Sequence, residues 1–129
     1  MNLSVPVRTL VDSPIWIDHL RQGLPALRSL LEDQQVLIHP FVVGELALGQ
    51  LARREYILDS LQHLPQVCQA SHPEVLHLLH QKKLYGLGIG YIDLHLVAAT
   101  LLTPDTQLWT RDARLIRACD KAGASVLRE

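Results

Sequence analysis

Short β-like runs alternate along this chain with longer segments of helical periodicity, and that order admits few architectures. Strands separated by helix-length crossovers pair in parallel, with the helices packed over the sheet. Arg8 to Val11 reads as the first strand, Val36 to Ile38 as the second, Gln107 to Thr110 as a later one and Ser125 to Leu127 as the last. A further short strand is expected within residues 65–70. Between them lie helical stretches. One begins at Pro14, whose missing N–H suits a first turn, and stops at Gly23. Others are expected over 24–33, from Pro40, over 53–63, 73–85 and 92–102, and over 112–122 with Gly123 as the cap. At 129 residues the chain can bury one core but not two, so 1–129 is expected to be a single α/β domain.

Four acids stand out against this pattern: Asp12 in LVDSPIWIDHLR, Glu45 in PFVVGELALG, Asp93 in GLGIGYIDLHLVAA and Asp112 in LWTRDARL. Asp12 and Asp112 each follow a predicted strand directly, while Glu45 and Asp93 fall in the first turns of helices. In an open parallel sheet, ligands bind beyond the carboxyl ends of the strands, which is where this placement sends all four. Carboxylates that converge in a cleft need a compensating cation to stay ionised together. Mg²⁺, or Mn²⁺, suits oxygen donors and accepts phosphate oxygens directly; such an ion also activates water for hydrolysis. Taken singly, Asp12 and Asp112 also fit as plain helix N-caps, and Glu45 as a solvent-facing residue. Asp93, among almost wholly apolar neighbours, has no such simple account.

The net charge of −1 gives no general attraction for nucleic acid. Setting the four acids aside leaves nine against twelve Lys and Arg, a balance of +3, so an RNA substrate is not excluded either. No uninterrupted apolar run approaches the roughly 20 residues that span a bilayer, and the opening MNLSVPVRTLV lacks the pattern of a signal peptide. Cys68 and Cys119 have no paired spacing and read as buried small hydrophobes in a reducing compartment. A cytoplasmic protein with no membrane association is expected.

The segments VDSPIWIDHLR, GELALG, GLGIGYIDLHLVAA and LWTRDARL, in that order, resemble the successive motifs of PIN-domain proteins. They are most similar to those of the VapC-type toxins of bacterial toxin–antitoxin pairs. The resemblance runs from about Thr9 to Val126; Pro14 and a slightly longer N-terminus are its departures. It implies a three-layer α/β/α sandwich with a mainly parallel sheet of four to five strands. It assigns the acidic site to Asp12, Glu45, Asp93 and Asp112, with the hydroxyls of Ser13 and Thr110 in support. It further implies a Mg²⁺-dependent endoribonuclease cutting structured RNA such as tRNA, a homodimer, and a cognate antitoxin that blocks the active site.

Other residues invite weaker readings. His72, His77 and His80 have zinc-like spacing, but no Cys or acid pattern completes a tetrahedral set, so a surface helix face is expected. His95 lies about 200° round the helix from Asp93 and is expected to pack or to face a partner. Arg111, Arg114, Arg117 and Lys121 offer contacts for RNA phosphates, the last three along one helical stripe, although solvated helix faces look alike. Trp16 and Trp109 are expected in the core. GLGIG lacks the spacing of a dinucleotide fingerprint. Two rival classes remain: a non-catalytic PIN-like scaffold that binds protein, and an aspartate-phosphorylating α/β phosphohydrolase or receiver. The second lacks its further acid, since Pro14 stands there, and has no well-placed Lys.

Overall fold

The computed structural model describes residues 6–129; Met1 to Val5, and with them the start of the opening segment read above, lie outside the described residues. Within these residues three strands form the sheet, β1 (Arg8–Val11), β2 (Val36–Leu37) and β3 (Thr106–Trp109), in the order β2-β1-β3 and all parallel. Among the described residues seven helices surround it: α1 (Ser13–Gln22), α2 (Pro25–Glu32), α3 (Pro40–Ala47), α4 (Arg54–Gln62), α5 (His72–Gln81), α6 (Tyr91–Leu102) and α7 (Ala113–Ala122). Thr9, Leu10 and Val11 are all fully buried although alternate residues of a strand face opposite ways. Both faces of the central strand are therefore covered, as a parallel sheet requires.

The core is aliphatic, built on Leu10, Leu37, Ile38 and Leu108 of the sheet region and on Leu46, Leu96 and Leu115 of the helices. Each such side chain contributes about 1.5–3 kcal/mol on full burial. Both tryptophans belong to this core, as the sequence predicts, at 3% and 1% exposure for Trp16 and Trp109. Residues Leu94 to Thr100 of α6 are buried on every side, which explains why that helix is almost uniformly apolar.

The sheet is narrower than expected. Residues 65–70 and 125–127 each touch it at a single parallel bridge, Ile38 with Gln66 and Leu108 with Val126. Two backbone hydrogen bonds hold each one: Ile38 N–H to Pro65 O and Val67 N–H to Ile38 O on one edge, Leu108 N–H to Ser125 O and Leu127 N–H to Leu108 O on the other. Cys68 also departs from expectation. Val67 and Ala70 turn inward from this edge segment, which leaves Cys68 exposed, whereas Cys119 is buried. Helix α5 stops at Gln81 rather than running to Tyr85, because Lys83 takes a left-handed conformation (φ 54°) and reverses the chain into buried Leu84.

Candidate active site

The parallel register decides what meets at the carboxyl edge. Val11 pairs with Trp109, so the next residues, Asp12 and Thr110, face each other just past the ends of β1 and β3. From β1 the chain passes to β2 on one side and only later to β3 on the other. The end of β1 is thus the place where strand order reverses, the crevice in which open α/β sheets bind ligands.

Asp12 is buried and caps α1. Its Oδ1 accepts from Ser13 N–H at 2.8 Å and its Oδ2 from the Thr110 hydroxyl at 2.7 Å. Thr110 Oγ1 in turn accepts from Asp112 N–H at 3.1 Å, so one buried hydroxyl ties the first acid to the backbone of the last. Ser13 directs its hydroxyl to Glu45 Oε1 at 2.6 Å, which orients an otherwise exposed carboxylate on α3. Asp93 occupies the third position of α6 and accepts from Gly90 N–H at 3.2 Å. Asp112 caps α7, accepting from Arg114 N–H at 2.9 Å and Leu115 N–H at 3.4 Å. Three helix N-termini, those of α1, α6 and α7, are thereby each matched with an acid, as their dipoles favour.

The electrostatics tie the four together. Burial pushes the Asp12 carboxyl above its ordinary value; hydrogen bonds from Thr110 and Ser13 oppose this, and the charges of Asp93 and Glu45 add to the rise. Burial likewise raises Asp93, against its bond from Gly90, with Asp112 and Glu45 contributing further. The site thus holds more negative charge than its own donors compensate. All the donors are oxygens, the set that hard divalent cations prefer. Even so, among the described residues no three His, Cys, Asp or Glu side chains are drawn together closely enough to grip an ion by themselves.

The other sequence candidates fall in different places. Arg111 is committed to Asp18 at 3.2 Å and to Glu129 at 3.1 Å, and Glu129 also accepts from Trp109 Nε1 at 2.6 Å. Arg114 lies across Gly88, and a Cβ on that glycine would stand 2.9 Å from Arg114 Cδ. Arg117 is exposed on α7, and Lys121 donates to Lys83 O at 2.9 Å. His72, His77 and His80 are exposed, and His95 is buried at 4% exposure.

Two features of the rim escape the sequence pattern. His39 stands just past β2 and caps α3, its Nδ1 accepting from Phe41 N–H at 3.0 Å. The His39-Pro40 pair was a legible sign of that cap, but imidazole is an unusual residue for it. Gly88, with φ 81°, takes a left-handed conformation that favours glycine, and any Cβ there would press on the Arg114 side chain in the loop that leads into Asp93.

An α/β domain whose sheet edge is lined with carboxylates at the switch point is the class that fold and site define. No protein-family model matches the chain. Two curated proteins, each called Ribonuclease VapC32, from Mycobacterium tuberculosis strains CDC 1551 / Oshkosh and ATCC 25618 / H37Rv, are 41% identical to it over 120 residues. The match covers 93% of this chain and 97% of each relative. The chain belongs to the VapC family of PIN-domain ribonucleases.

Proposed function

We propose that this chain is a Mg²⁺-dependent endoribonuclease, the toxin of a toxin–antitoxin pair, cutting structured RNA such as tRNA or rRNA and so blocking translation. The observation that carries the reading is the buried Thr110–Asp12 hydrogen bond at the end of β1. A carboxylate held rigid and partly desolvated at a switch point, with three more acids acting on it or on each other, fits cation-assisted phosphodiester hydrolysis. Asp12, Glu45, Asp93 and Asp112 would hold the ion, Mg²⁺ or Mn²⁺, directly or through water. Bound there, the ion supplies charge stabilisation to the phosphate and lowers the cost of deprotonating water.

Ser13 orients Glu45, and Thr110 orients Asp12 while fixing the amide of Asp112. Arg114 and Arg117 offer charge to the RNA backbone from α7; Arg111, already paired with two acids, has less to give. Residues 1–129 are read as one PIN domain, and the two bridged segments as the outer strands of a five-stranded sandwich. A homodimer and a cognate antitoxin that inserts a basic side chain among the acids complete the proposal. Among the described residues no helix is long and apolar enough to cross a membrane; the cytoplasm, where its RNA substrate is made, is the proposed site of action.

The test is cleavage of end-labelled total tRNA and rRNA by the purified protein, with Mg²⁺ and with EDTA, beside Asp93→Asn. Discrete fragments from the wild type with metal alone are expected. A fully active Asp93→Asn variant, or undiminished cleavage in EDTA, would overturn the assignment.

A further inference from the structure

The chain holds only one Phe, three Tyr and two Trp, and their distribution is uneven. Both Trp are core. Tyr56 lies under the Arg53 guanidinium, 4.3 Å from its ring centre, and Tyr85 sits beyond α5. Phe41 and Tyr91, by contrast, belong to one continuous aromatic step on the two helices that carry Glu45 and Asp93. Phe41 is one turn ahead of Glu45 on α3, and Tyr91 is the first residue of α6.

Between them lies the buried ring of His95, 4.8 Å from Phe41 and 4.7 Å from Tyr91, edge to face with both. His39 flanks Phe41 at 4.9 Å on the inner side. His72 flanks Tyr91 on the outer side, its Nδ1 2.6 Å from the Tyr91 hydroxyl. The inner imidazoles form a floor, while Phe41 and Tyr91 remain 38% and 47% exposed.

We infer that Phe41 and Tyr91 form a stacking platform for an unpaired base of the RNA, next to the phosphodiester that is cut. The inference rests on the nuclease reading and names two residues that would position the substrate at that site. The chemistry of the step selects a base over a phosphate. None of its five rings belongs to an acid, a lysine or an arginine, so the surface is π-rich. Stacking of this kind tolerates any base but requires it to be splayed out of a helix. Position selects a base near the reacting centre, because one α-helical turn advances about 5.4 Å and Phe41 and Glu45 are separated by about that rise.

The experiment compares the wild-type chain, Phe41→Leu/Tyr91→Leu, and the ring-retaining Phe41→Tyr and Tyr91→Phe. Two readouts are taken: anisotropy of a fluorescein-labelled single-stranded oligoadenylate decamer beside a duplex of equal length, and cleavage of end-labelled total tRNA with Mg²⁺. The double leucine variant is expected to weaken decamer binding about ten- to hundredfold, the range of lost base stacking, and to raise KM more than it lowers kcat. The ring-retaining variants are expected to match the wild type, and the duplex to bind weakly throughout. Unchanged decamer affinity in a double variant that binds and cuts RNA normally overturns the platform and leaves the nuclease reading standing. A change in sedimentation mass that accompanies lost binding overturns it in favour of an interface between copies. A wild type that neither binds nor cuts RNA removes the platform together with the reading beneath it.

Discussion

The Thr110 hydroxyl donates to Asp12 Oδ2 at 2.7 Å, joining the ends of two adjacent strands that are 98 residues apart in sequence. It also receives the Asp112 amide, so its removal frees two groups at once. Thr110→Val, which keeps the shape, is expected to cost about 1–2 kcal/mol of stability and to lower cleavage at least about tenfold, because a loosened Asp12 loses its orientation. Thr110→Ser keeps the hydroxyl and is expected to retain most of both. Urea unfolding and tRNA cleavage rates on the three proteins check this.

Asp93 and Asp12 both have raised pKa values, so without metal the folded chain holds more protons than the unfolded chain just above the ordinary carboxylate value of 3.8. Their contribution to stability is fully present below that value and is lost as pH rises through the raised ones. Near neutrality in EDTA, therefore, Asp93→Asn is expected to unfold at a higher temperature than the wild type while losing cleavage. Mg²⁺ is expected to raise the Tm of the wild type and to have much less effect on the variant. Thermal scans with and without Mg²⁺ decide the point.

His39 titrates the other way. Burial, with His95 adding to it, lowers its pKa to about 4 from 6.5. The unfolded chain thus takes up a proton below pH 6.5 that the folded chain refuses until about pH 4, and His39 favours the unfolded state increasingly across that window. His39→Asn retains a side-chain oxygen for the Phe41 amide. It is expected to show a smaller fall in Tm between pH 7 and 5 than the wild type, as measured by circular dichroism.

Gly88 combines φ 81° with the Arg114 side chain packed against it. Gly88→Ala is expected to lose about 1–2 kcal/mol from the left-handed backbone alone and more from the collision. Adding Arg114→Ala relieves the collision only, so the double variant is expected to recover part of the stability. Equal stability of the single and double variants would mean that the arginine simply swings aside.

The alternation of elements was readable because β1 and β3 stop just before Asp12 and Thr110 and the helices carry strong start and stop residues. Asp12 and Thr110 fell into place once register was known, since both simply extend paired strands. Less legible were features that depend on tertiary fit. Nothing local shows that residues 65–70 and 125–127 reach the sheet at one residue each. The bond from Ser13 to Glu45 spans 32 residues and leaves no periodic trace. Cys68 was misplaced because composition reports how often thiols are buried, not which way an edge segment turns.

The brevity of the sheet's margins bears on how this protein meets others. A long outer strand would present a row of free amides and carbonyls on which another chain could extend the sheet, in recognition or in aggregation. Here each margin is anchored at one bridge and then leaves the plane, into α5 on one side and into the last residues on the other. Among the described residues, each margin offers little backbone for strand addition. Contacts through helix faces, where side chains rather than backbone set the choice of companion, are favoured accordingly.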